Sequence, residues 1–181
     1  RFKVYGPSLF VITMSDIETL RHSASHVLAA AVKKLFPDVL LGIGPAVENG
    51  FYYDFRKKEP FTPEDLVKIE KSMQHIIKQN VKFELIEIDF AEAKKMLASE
   101  SYKLELLEGL KIKGEKITFY KNGDFIDMCR GPHITSTGKI GALKLTKMSS
   151  AYWKGDETRD SMQRIYGVAF ETREALDAYV K

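Results

Sequence analysis

The stretch ITFYKNGDFIDMCRGPH, residues 117–133, reads as two short strands around a turn. Ile117 to Tyr120 and Phe125 to Cys129 are rich in β-branched and aromatic residues, and Asn122-Gly123 between them is a strong hairpin signal. On the second strand, Phe125, Asp127 and Cys129 share one face, while Ile126 and Met128 share the other. An acid and a thiol therefore point the same way. Arg130-Gly131-Pro132 turns the chain before His133.

Working outward, hairpins and helices alternate irregularly. Ser15 and Glu18 have capping-box spacing, and Pro37 marks the far end of a first helix. Ile17, Leu20, Ala24, Val27, Leu28, Ala31 and Leu35 form its apolar stripe. A turn-rich segment follows, and Asn49-Gly50 predicts a hairpin. The lone Gly42-Ile43-Gly44 is too weak a pattern for phosphate binding. Thr62-Pro63 opens a second helix, with Leu66, Ile69, Met73, Ile76 and Ile77 as its stripe. His75 lies opposite and is expected to be exposed and uninvolved. Val81 to Asp89 is strand-like, with a bulge expected between Leu85 and Ile86. Ala91 to Ala98 is a short helix, and a further one is expected to end near Gly109. Leu143 to Met148 and Gln163 to Phe170 read as strands. Thr172 caps a terminal helix with Ala175, Leu176 and Tyr179 as apolar positions. The expected class is α+β, a mainly antiparallel sheet packed with helices.

Composition narrows the setting. The chain has 181 residues, 44% hydrophobic and 29% charged, as in an ordinary globular domain. No apolar run approaches the roughly 20 residues of a membrane span, and none reads as an export signal. One cysteine makes no internal disulfide and fits a reducing cytosol. The net charge of +3 permits nucleic-acid contact without arguing for it. Residues 1–13 hold no acidic residue although the chain has 25; they read as a leader, either a linker from an upstream domain or a remnant of expression.

The chemistry concentrates in two pairs, His22/His26 and Cys129/His133, each four positions apart. On a helix the first pair is separated by only about 40° and lies away from the apolar stripe, beside Ser23, Ala29 and Ala30. Simple solvent exposure competes with a ligand-facing role there. Four such groups support a closed structural zinc site, a catalytic zinc with an open position, or a metal-free hydrolytic pocket in which imidazoles and a lysine orient water. A cysteine nucleophile is a weaker variant.

Seven strings then carry a resemblance: Arg21 to His26, Gly42 to Pro45, Gly50 to Asp54, Ser101-Tyr102-Lys103, Asp127 to His133, Ala151 to Asp156, and Gln163 to Gly167. In this order, from about residue 15 to 181, they resemble the editing domain of bacterial-type threonyl-tRNA synthetases. The related alanyl-tRNA synthetase domains share the spacing of the two pairs but typically read Cys-Gly-Gly-Thr-His where this chain reads Cys-Arg-Gly-Pro-His. The resemblance implies the editing-domain fold over residues 14–181 and hydrolysis of serine wrongly attached to threonine tRNA. It implies His22, Lys103, Asp127, Cys129 and His133 as catalytic pocket residues, with His26, Tyr53 and Arg130 binding substrate. Lys154 and Arg164 are further candidate contacts to the tRNA end. It implies no required cofactor; if zinc were held, His22, His26, Cys129 and His133 would hold it. The implied partners are the 3′ end of the tRNA and the other domains of a full synthetase, with no membrane, in the cytoplasm. A zinc-dependent alanyl-type deacylase and a non-catalytic tRNA-end binding module are the alternatives. The signature segments of an aminoacylation core are not in the sequence.

Overall fold

A computed structural model describes residues 15–181; the leader assigned to residues 1–13 lies outside them. Helix α1 (Asp16–Leu35) begins at Ser15, whose Oγ accepts from Glu18 N while the Glu18 carboxylate accepts from Ser15 N. It is followed by β1 (Leu40–Leu41), β2 (Ala46–Val47), β3 (Gly50–Arg56), α2 (Pro63–Gln79), β4 (Phe83–Glu87), α3 (Phe90–Met96) and α4 (Ser101–Lys113). Then come β5 (Thr118–Asn122), β6 (Phe125–Met128), β7 (Ala142–Tyr152), β8 (Ser161–Phe170) and α5 (Arg173–Tyr179). All strand pairs are antiparallel, in a five-stranded sheet β1-β3-β8-β7 with β2 beside β3, and a three-stranded sheet β4-β5-β6. The expected α+β class is what the chain adopts.

α1 joins the two sheets. Its apolar stripe packs on Phe51, Tyr53, Phe55 and Ile165 of the large sheet, together with Ile69 and Met73 of α2. The opposite face was expected to be open. Instead every residue from Ser23 to Val32 is buried. Phe83 of β4 and Phe125 of β6 close over that side, and His26 meets both rings edge-on. The second small core, with Ala93, Leu97, Leu107 and Phe119, lies between the small sheet and helices α3 and α4.

Several boundaries differ from expectation. The register of β4 against β5 runs without a shift, so there is no bulge at Leu85/Ile86. The broken alternation arises because Leu85 stays exposed on the side that Phe83 buries. The ladder does shift between Leu145 and Lys147. α4 passes through Gly109 and stops at Gly114, which takes the left-handed conformation of a C-cap. Both tight turns sit one position from where they were expected. Glu48 and Asn49 connect β2 to β3, and Gly123 and Asp124 connect β5 to β6. In α5 only Leu176 of the three apolar positions is buried.

On the face of β3 and β8 away from this core, Arg164 makes a two-pronged ion pair with Asp54, at 2.7 and 2.9 Å, and stacks over Tyr52. Asp54 is 2% exposed. Removing the guanidinium strands a buried carboxylate. Arg164→Ala is expected to lower the urea unfolding free energy by about 2 kcal/mol, less than for a wholly buried pair because the arginine is partly solvated.

Candidate active site

The two sequence pairs meet between the sheets. His22 sits on α1 with Nε2 3.4 Å from Cys129 Sγ, and His133 Nε2 approaches the same sulfur at 3.5 Å. The two imidazoles stack with centroids 4.5 Å apart. His22 Nδ1 lies 3.2 Å from Pro132 O. A carbonyl only accepts, so Nδ1 carries the ring proton and Nε2 is bare toward the sulfur. Gly131 N donates to Sγ. Gly131 has φ 71°, and a Cβ there would collide with the Tyr120 ring, which itself packs edge-on against His133.

His26 stands apart. It is 3% exposed, and its Nε2 has no hydrogen-bond partner among the described residues. Burial lowers its pKa to about 4, so it is a neutral ring within an aromatic cage of Phe83, Phe125 and His133. Solvent exposure of the histidine pair is therefore corrected: His26 is enclosed and His22 half-buried. His75 is exposed, as expected, with its Nε2 3.2 Å from Gln79 Nε2.

Beside the sulfur lies a buried ion pair. Lys103, from the first turn of α4, holds Nζ 3.1 Å from Asp127 Oδ1, and both side chains are 5% exposed. Oδ1 is buried and, among the described residues, has no hydrogen-bond partner besides this ion pair. Tyr53 Oη donates to Asp127 Oδ2 at 2.7 Å. Burial, with Asp127 adding to it, holds the Tyr53 hydroxyl well above its usual pKa. The Tyr53 ring lies flat against Gly44, where a Cβ would enter the ring. That close approach explains the glycine which sequence offered weakly as a phosphate loop.

All these groups line one cavity of about 540 Å³. His22, Tyr53, Lys103, Asp127, Cys129 and His133 form its floor, with His26 reaching it from behind. Arg130 and Lys154 stand in its wall, each ion-paired, to Glu115 and Glu105 respectively. Lys113 and Lys116 add positive charge. Arg164 does not line it; its pairing with Asp54 on the other side of the sheet removes it as a contact to a ligand here.

Electrostatics narrow the chemistry. Burial pushes the Cys129 thiol up to about 11, against the lowering by the Gly131 N–H, so little thiolate exists at neutral pH. That disfavours the nucleophile variant. Burial lowers the pKa of His22, the Pro132 carbonyl opposing it, and leaves a neutral imidazole able to accept a proton. His133 is also held neutral, by burial and by its two imidazole neighbours. The donor atoms of His22, Cys129 and His133 all lie within 4.8 Å of one another, so these three fit a cation as a three-ligand set. His26 is not part of that set, which removes the four-ligand arrangement.

Sequence reasoning missed the supports. Ser23 Oγ contacts His133 Nδ1 at 3.0 Å, and Ser25 Oγ, with one proton to donate, lies 2.7 Å from His22 O and 2.5 Å from Gly44 O. Thr118 Oγ1 donates to Cys129 O. Both serines stand within the Arg21 to His26 string, but nothing in their spacing marks them as partners of residues far along the chain.

The chain is an α+β domain with a His/Cys/His cluster beside a buried lysine–aspartate pair, and its residues 117–166 match the family described as the threonyl and alanyl tRNA synthetase second additional domain. The chain is 53% identical over 178 residues to a threonine–tRNA ligase of Clostridium tetani, covering 96% of this chain and 28% of that relative. It is 52% identical over 165 residues to one of Acetivibrio thermocellus, covering 90% of this chain and 26% of that relative. Over most of its length the chain is thus similar to a part of these threonine–tRNA ligases. It spans about 28% of the length of these relatives. No helix among the described residues is long and apolar enough to cross a membrane.

Proposed function

We propose that this chain is an editing deacylase that hydrolyses serine from mischarged threonine tRNA in the cytoplasm, working beside the other domains of a full synthetase. The observation that carries the reading is the single cavity in which the His22–Cys129–His133 cluster and the Lys103–Asp127–Tyr53 network meet. The need is physical. Serine lacks one methyl group of threonine, and lost apolar contact discriminates by only about 1–3 kcal/mol. A second site that admits the smaller ester supplies the remainder.

The Asp127 carboxylate, in the cavity lining, receives the serine ammonium. Cys129 and His133 bound the side-chain slot, and His26 backs it with a dry aromatic wall. Water attacks the ester carbonyl while His22 Nε2 takes its proton, directly or through a terminal ribose hydroxyl. Lys103 Nζ steadies the oxyanion. Collapse breaks the bond to the ribose oxygen, which recovers the proton held by His22. The products are serine and free tRNA. Arg130 and Lys154 face the approaching nucleic acid. A zinc ion on His22, Cys129 and His133 would supply an acidified water there. The steps above use the side chains alone, and no cofactor is required.

The test is turnover of seryl-, threonyl- and alanyl-tRNA with and without a chelator. The seryl ester is expected to be cleaved and the threonyl ester spared, at an unchanged rate after chelation and dialysis. Cleavage confined to alanyl-tRNA, or loss of rate on chelation with stoichiometric zinc in the dialysed protein, supports the alanyl-type reading instead. Binding without turnover supports the non-catalytic one.

A further inference from the structure

Behind the cavity, out of reach of any substrate, Ser23 is fully buried on α1. Its Oγ stands at the centre of three contacts: Thr19 O at 2.8 Å, Ile134 N at 3.0 Å and His133 Nδ1 at 3.0 Å. A hydroxyl has one proton and two acceptor positions. Two oxygens at 2.8 Å repel unless a proton lies between them, and the Thr19 carbonyl has none to give. The Ser23 proton is therefore spent on Thr19. The amide of Ile134 donates to Oγ, which leaves His133 Nδ1 as the third partner, and it too must donate. His133 then carries its proton on Nδ1, and its Nε2, 3.5 Å from Cys129 Sγ, is bare.

This matters because Sγ has a single proton and two bare nitrogens beside it, His22 Nε2 and His133 Nε2. If His133 were protonated on Nε2 it would donate to sulfur, and the thiol proton would go to His22 and occupy the lone pair that has to receive a proton from water. We propose that Ser23 is a positioning residue: by accepting from His133 Nδ1 it keeps His133 Nε2 an acceptor, so the thiol proton of Cys129 has a partner other than His22 Nε2 and the reacting water can compete for that lone pair. The catalytic half of this statement rests on the deacylase reading; the tautomer does not.

Nitrogen-15 NMR of the imidazoles in chelator-treated protein, with His133 assigned by its loss in His133→Gln, reads the tautomer directly. The parent is expected to show a protonated Nδ1 and a pyridine-type Nε2 at His133. In Ser23→Ala the signal is expected to move toward the Nε2-protonated form, and kcat for seryl-tRNA to fall about 10- to 100-fold, the range for groups that orient a functional imidazole, with KM little changed. An Nε2-protonated His133 in the parent overturns the proposal whatever the variant does. So does a Ser23→Ala protein that keeps the parent tautomer, or one that changes tautomer at full rate. If the parent cleaves no seryl-tRNA but shows the expected tautomer, the deacylase reading fails and the assignment of Ser23 to the His133 proton stands.

Discussion

Lys103→Ala is expected to slow single-turnover deacylation of seryl-tRNA by about 10²- to 10³-fold, the usual effect of removing one donor that steadies an oxyanion. The residue is 4% exposed, so its charge acts in a dry setting where little water screens it. It also holds Asp127, 3.1 Å away, and lies 5.5 Å from the Tyr53 ring. Deleting it leaves the Asp127 carboxylate buried with only the Tyr53 hydroxyl. Folding is therefore expected to weaken as well, by about 3–5 kcal/mol as for one broken half of a buried pair. The two effects separate in the double variant Lys103→Met with Asp127→Asn. It removes both charges, so urea midpoints should recover toward the parent while deacylation stays lost. A folded Lys103→Ala protein hydrolysing at the parent rate would remove lysine from the mechanism.

The second large effect is at His22. His22→Ala is expected to cost about 10²- to 10⁴-fold in deacylation, the range for loss of a general base. Stability should change little, because the ring is half-buried at the cavity and the helix tolerates alanine there. The pH dependence gives a sharper readout. The base must be unprotonated, and burial lowers its pKa from 6.5. The rate should thus be level through neutral pH and fall only as pH drops through a value below 6.5, the folded pKa of this ring. That acid limb should vanish in His22→Ala. A limb that persists unaltered in the variant assigns the base elsewhere.

How far these features could be read from sequence depends on the distance over which each is decided. The α1 cap is local: Ser15 and Glu18 are three residues apart and satisfy each other's backbone. So is the β5–β6 hairpin, displaced by one position because Gly123, at φ 62°, takes the first loop place. What covers the second face of α1 is not local. Phe83, Phe125 and His133 arrive 57 to 107 positions after His26, and helical periodicity says nothing about them. That is why the imidazole pair read as open when one ring is enclosed. Gly109 suggested a helix end, but the helix runs through it and is capped in the left-handed conformation at Gly114. At the site, the paired spacing marks His22, Cys129 and His133 from chemistry alone. Strand alternation puts Asp127 on the face of Cys129, whereas Lys103 and Tyr53 emerge only from the family strings, since a lone lysine or tyrosine carries no signal of burial. Ser23 is invisible at either level: its meaning lies in a proton direction that only the assembled contacts define.

The meeting of α1 with the small sheet has a bearing on how the chain is made. The His22 imidazole and the Cys129 thiol lie 107 positions apart in the sequence and meet only after both layers have closed on the helix. A nascent copy still leaving the ribosome holds one without the other. On the deacylase reading proposed above, such a copy would hold an imidazole without the pocket that confines it, so hydrolysis would begin only once the slot that restrains it is also complete.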